Sequence, residues 1–137
     1  MRILWFNHRD IRHPLAGGAE RTIYEVGKRL AMRGHEFHLA SVNPRQLPEE
    51  EIIDGIIINR TKGNVMAHLN APLLIRRLRP DVVVDDMAHV VPWFSPLASK
   101  SKVIVFFRHY HARSIKMRHH ISLCPVYDDA IDNFLFG

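Results

Sequence analysis

A short apolar run, a loop ending in two glycines and a helix that starts at once constrain this chain more than any other feature. Arg2 to Asn7 reads as a buried strand. His8 to Gly17 follows as a loop that contains Pro14 and closes on Gly17-Gly18. From about Ala19 to Arg33, the apolar positions Ala19, Ile23, Val26, Leu30 and Ala31 recur at helical spacing and form one buried stripe. Glu20 in the first turn, and Lys28, Arg29 and Arg33 near the end, complement the helix dipole. Gly34 is the residue type that a left-handed C-terminal cap favours.

The pattern then repeats. Glu36 to Val42 reads as a second strand, and Asn43 to Pro48 as a turn before the acidic Glu49-Glu50-Glu51. Ile52 to Asn59 is rich in β-branched residues and predicts a third strand. Val65 to Leu78 predicts a helix in which Pro72 marks a kink or a later start. Asp81 to Asp85 and Lys102 to Phe107 read as buried strands. Met87 to Ser101 between them, with Pro92 and Pro96, has room for a short helix only. Tyr127 to Phe136 reads as a last helix. Continuous apolar strands alternating with helices predict one α/β domain: an open, mainly parallel sheet of about five or more strands with helices on both faces.

The 137 residues suffice for one ordinary domain, and neither 47% hydrophobic nor 24% charged residues suggests disorder. No apolar run approaches the ~20 residues that cross a bilayer. Met1 to Phe6 is too short for a signal peptide. Cys124 is the only cysteine, so no internal disulfide forms; together these features predict a cytoplasmic protein. The net charge of +5 suits phosphorylated ligands, anionic lipid or plain solubility. Arg108 to His120 holds Arg108, Arg113, Lys116, Arg118 and four histidines without an acid, and Asp128, Asp129 and Asp132 follow. These two segments can pair within one chain or between two. Nucleic acid is not the expected partner, because aromatics do not interleave with the cations. Nicotinamide binding is not expected either, because no GxGxxG follows the first strand.

The glycine loop is a phosphate-binding arrangement on physical grounds. Open α/β sheets bind ligands at the carboxyl ends of their strands. A helix N-terminus offers unpaired N–H groups and partial positive charge. Glycine leaves no Cβ in the way of a phosphate. The plainer alternative is a tight turn that needs glycine only for its conformation.

The run His13-Pro14-Leu15-Ala16-Gly17-Gly18-Ala19-Glu20, then Glu25, then Leu30-Ala31-Met32-Arg33-Gly34-His35-Glu36, resembles the opening of glycosyltransferase family 4, the large retaining GT-B family. The resemblance continues through Arg79-Pro80-Asp81-Val82-Val83-Val84-Asp85-Asp86, through Val91-Pro92-Trp93-Phe94-Ser95-Pro96-Leu97, and into Arg108-His109-Tyr110-His111. It covers residues 1–113. It implies a Rossmann-like N-terminal GT-B domain that binds the acceptor, facing a second domain that holds most of a nucleotide-sugar donor. The reaction it implies is retaining transfer of a hexose, without a metal or other cofactor. A donor domain is not expected in this chain, and residues 114–137 look unrelated to the family, so they are expected to be a packing or dimerisation segment. This chain alone is expected to be inactive. The implied partners are the nucleotide sugar, a glycan or lipid-linked acceptor, and a separate donor domain or second copy. The alternative is a stand-alone binding or dimerisation module derived from that domain.

The resemblance also assigns residues. Gly17 and Gly18 match the loop that contacts the donor diphosphate. His109 is the best match for a histidine beside the sugar, where it would steady positive charge at the anomeric carbon, and His111 is the second candidate. Lacking HExxH or CxxC, His109, His111, His119 and His120 read better as a basic surface than as a zinc site. Glu20 is a candidate for a substrate hydroxyl or serves the helix dipole alone. His13 is a candidate acceptor contact. Asp85 and Asp86 are either an acceptor-binding pair or a loop cap. His35 reads as structural. Arg76, Arg77 and Arg79 complement the second helix's dipole or meet anionic lipid at a membrane surface.

Overall fold

A computed structural model describes residues 1–44, 46–87, 93 and 95–106. The elements are β1 (Arg2–Phe6), α1 (Gly18–Met32), β2 (Glu36–Asn43), β3 (Glu50–Ile53), β4 (Ile56–Lys62), α2 (Asn64–Leu78), β5 (Val82–Asp86), α3 (Ser95–Ala98) and β6 (Lys102–Phe106). The sheet order is β3-β4-β2-β1-β5-β6. All neighbours are parallel except β3, which runs antiparallel to β4. This is the open, mainly parallel α/β sheet of the Rossmann-like kind that the alternating pattern predicts.

The expected single strand from Ile52 to Asn59 is instead a hairpin. Asp54 (φ 48°) and Gly55 (φ 82°) both adopt the left-handed region. That pair of conformations makes a tight two-residue turn, for which Asp-Gly is a favoured sequence. The acidic run belongs to β3, and the strand after the turn extends to Lys62. The predicted helix at Tyr127 to Phe136 lies outside the described residues.

Each crossover fixes the next layer. Ile23 of α1, with Tyr24, Val26 and Leu30, packs on Ile3, Trp5, Phe37, Leu39, Ile56, Ile58 and Val84. Ala67, Ala71 and Ile75 of α2 pack on the opposite face with Leu4, Phe6, Ala40, Val83 and Trp93. Strand alternation explains the division. α1 lies close to the sheet because Gly27 has no side chain: a Cβ there would stand 2.7 Å from the Phe37 ring. α1 ends in a Schellman motif. Gly34 (φ 82°) donates to the Ala31 carbonyl at 2.9 Å and His35 to that of Leu30 at 3.1 Å. Pro72 is accommodated inside α2. Among the described residues, no helix is long and apolar enough to cross a membrane.

From β1 the chain goes to β2 on one side, while β5 pairs with β1 on the other. The crevice where strand order reverses therefore opens above the carboxyl ends of β1 and β5, where such sheets take their ligands.

Candidate functional site

The loop from β1 to α1 rises into that crevice. Gly17 caps α1 with φ −129° and Gly18 is the first helical residue; neither has a positive φ. A Cβ at Gly18 would meet nothing within 4 Å, and one at Gly17 only the Glu20 carboxylate at 3.6 Å. The fold itself therefore does not demand glycine at either position. The amides of Gly18 and Ala19 lie in the first turn, where helix geometry gives them no carbonyl partner.

Glu20 is buried and reaches back. Its Oε2 accepts from the Gly17 amide at 2.6 Å and its Oε1 from Asn7 Nδ2 at 3.4 Å. This is the glutamate half of a capping box, and it occupies one of the two amides assigned to a diphosphate. Among the described residues, Gly18 thus carries the open amide, and Glu20 ties the helix start to the end of β1. His13 also holds the loop. Its Nδ1 accepts from the Leu15 amide at 3.0 Å, and its backbone bonds Asp10 and Ala16.

Below the loop lies an ionic cluster that sequence reading missed. Arg60 of β4 donates to Asp10 twice, at 2.7 and 3.2 Å, and both side chains are fully buried. Ser41 Oγ (2.9 Å) and the Arg12 amide (2.9 Å) complete the Asp10 carboxylate. Arg60 also donates to Glu51 at 2.8 Å and to the Pro48 carbonyl at 3.0 Å, while Arg12 reaches Glu51. Burial alone would raise the Asp10 carboxyl. The bonds from Arg60, the Arg12 amide and Ser41 outweigh it and hold the group below its ordinary value. One signal was available: Arg60 continues the alternation of Ile56 and Ile58, a cation in register with a buried face.

Asp85 and Asp86 end β5 beside β1, but they point to opposite faces of the sheet. Asp85 accepts from Ser95 Oγ at the start of α3, and burial pushes its carboxyl up. Asp86 Oδ2 accepts from Trp5 Nε1 at 3.1 Å. Both are buried, so they do not form a convergent pair. His109 and His111 lie outside the described residues. Gly17, Gly18, Glu20 and His13 therefore meet in one loop, with Asp85 and Asp86 at the neighbouring strand end.

On the α2 side of the same edge, His8 and His68 bring their Nε2 atoms to 3.2 Å, and both rings pack on Trp93. Burial lowers the His68 imidazole below its ordinary value. Next to them a cavity of about 310 Å³ runs under α2, with Phe6, Ala71, Leu74 and Trp93 as apolar walls and Asn59, Asn70 and Arg77 as polar groups. Its size is in the range of small-molecule sites. Among the described residues, no three metal-ligating side chains converge.

A family model described as Glycosyltransferase Family 4 matches residues 16–128, from the glycine loop to beyond the last described strand. No curated protein matches the chain.

Proposed function

This chain belongs to glycosyltransferase family 4, and we propose that it supplies the acceptor-side domain for retaining transfer of a hexose from a nucleotide sugar. The observation that supports this most is Gly18. It opens α1 at the crevice, with a first-turn amide and no steric need to be glycine. A diphosphate approaching that amide would gain the helix dipole as well as the hydrogen bond. Gly17 contributes space rather than a donor, since its amide is held by Glu20.

In this reading His109 or His111, a few residues past β6, hydrogen-bonds a sugar hydroxyl and steadies the charge developing at the anomeric carbon. The cavity under α2 receives the acceptor, a glycan or the head of a lipid-linked one. Asn59, Asn70 and Arg77 offer it hydrogen bonds, and apolar walls exclude water. Glu20, His13, Asp85 and Asp86 act by shaping the crevice. Most donor contacts come from another domain or partner, so this chain alone turns over no sugar.

The test is an amide NMR titration with UDP, GDP and ADP, each with and without an attached sugar. Joint shifts at Gly17, Gly18 and the neighbourhood of His109 are expected. Unmoved amides at millimolar ligand would refute a donor site on this chain and favour a stand-alone interaction module.

A further inference from the structure

We propose, resting on the donor-site reading, that Arg60 is a positioning residue for the diphosphate: from β4 it fixes the loop between β1 and α1, and through the loop the Gly18 amide. Residues 7–17 form a longer link than the about 2–6 residues usual between a strand and a helix. No apolar residue of this loop is buried. Its buried residues are Asn7, His8 and Asp10, all polar, and Leu15 is 66% exposed. Pairing with β2 continues past β1 to His8, whose carbonyl accepts from the Val42 amide at 3.1 Å. Beyond it, Asp10 is the last buried residue before Glu20.

From Asp10 a relay of bonds runs to the glycines. The Asp10 carbonyl accepts from the His13 amide at 3.0 Å, and the His13 carbonyl from the Ala16 amide at 2.9 Å, one residue short of Gly17. The Asp10 carboxylate is itself held by Ser41 of β2, by the Arg12 amide and by two guanidinium nitrogens of Arg60. The third nitrogen, Nη1, donates to Glu51 and to the Pro48 carbonyl. With all three nitrogens committed, the planar fork fixes Asp10 in distance and in orientation.

Stability alone is a poor reason for an arginine here. Arg60 follows Ile56 and Ile58 on the buried face of β4. An apolar side chain of similar volume is often as stabilising there as an ion pair, because both charges of the pair must lose their water. An apolar side chain has no direction, however, and would let a polar loop settle in several positions. Recognition of a phosphate by one amide needs placement within about 0.5 Å. The fork supplies what burial lacks, a single fixed place for the loop.

The test is an amide NMR titration of the wild type, Arg60→Lys, Ser41→Ala and Ile58→Val with UDP, GDP and ADP, each protein held below its thermal transition. Arg60→Lys keeps the charge and loses the fork. It should bind a nucleoside diphosphate about tenfold more weakly, the loss of one charge-assisted hydrogen bond. Its His13 and Ala16 amides should exchange faster with solvent while those of β2 and β4 do not. Ser41→Ala leaves both charges paired and serves where the lysine variant does not fold; it should weaken binding about two- to tenfold. Ile58→Val loosens the same strand without touching the loop, and its affinity should match the wild type. Unchanged affinity in Arg60→Lys, or in Ser41→Ala where the lysine variant does not fold, would overturn the positioning role and leave the donor site standing. So would an equal loss in Ile58→Val. A wild type that binds no diphosphate would overturn the donor reading, and the proposal with it.

Discussion

Arg60 closes on Asp10 with two nitrogens of its guanidinium, Nε 2.7 Å from one carboxylate oxygen and Nη2 3.2 Å from the other, and neither side chain exposes any surface. The contact links β4 to the loop after β1, across fifty residues of chain. Breaking a fully buried pair leaves one charge without compensation, at a cost of about 3–5 kcal/mol. Arg60→Met should lower the urea unfolding free energy by that order. Asp10→Asn combined with Arg60→Met should recover at least half of the loss, because Asn removes the charge while its Oδ1 still accepts from the Arg12 amide and its Nδ2 can donate to Ser41 Oγ. A double variant no more stable than Arg60→Met would show that hydrogen bonding, not stranded charge, sets the cost.

His68 should make stability depend on mildly acid pH. Burial holds its imidazole below the ordinary value, so the folded state favours the neutral ring. The sign follows from linkage: the contribution is complete above pH about 6.5, the unfolded value, and is lost as pH falls toward the lowered folded value. With Nε2 of His8 only 3.2 Å away, one proton between the rings satisfies both nitrogens and a second charge meets repulsion. Urea midpoints should fall between pH ~7.5 and ~5.5. His68→Phe, which keeps a ring beside Trp93, should fall less. Equal losses in both proteins would assign the effect to other groups.

Glu20 is expected to be a loop-holding residue whose removal is felt first at Gly17. Glu20→Ala deletes the 2.6 Å bond to the Gly17 amide and should cost about 0.5–2 kcal/mol, the usual range for a lost helix cap. Glu20→Gln keeps a carbonyl acceptor and should lose much less. Amide hydrogen exchange gives the local readout. Gly17 should exchange faster in the alanine variant and near the wild-type rate in the glutamine variant. Protection unchanged in both would remove the capping role.

The difference between what the sequence revealed and what it hid is one of range. The glycine loop, α1 and its Gly34 stop depend on residues a few positions apart, so spacing exposes them. The β3–β4 hairpin is equally local, and Asp54-Gly55 marks it. The run of isoleucines from Ile52 to Ile58 masks that turn, since periodicity alone reads continuous apolar residues as one strand. The Asp10–Arg60 pair and the His8–His68 contact join elements distant in sequence, and only the sheet order brings them together. Asp85 and Asp86 are neighbours in sequence, and that closeness misleads. Successive strand residues face opposite ways, so adjacency places them on different sides of the sheet.

Substitution at Gly18 distinguishes the proposed ligand-binding role of this glycine from a merely conformational one. Its backbone is ordinary helix, and a Cβ there meets nothing within 4 Å. Gly18→Ala should therefore fold as well as the wild type, or gain about 0.4–1 kcal/mol from the smaller entropy of its unfolded chain. The same methyl group stands where a diphosphate would have to approach the first-turn amide, so affinity for a nucleoside diphosphate should drop while stability does not. Gly18→Val, larger and β-branched, should abolish binding. Thermal unfolding and ligand titration on the three proteins make the comparison. A Gly18→Ala protein that binds as tightly as the wild type would mean that no phosphate comes close to this backbone.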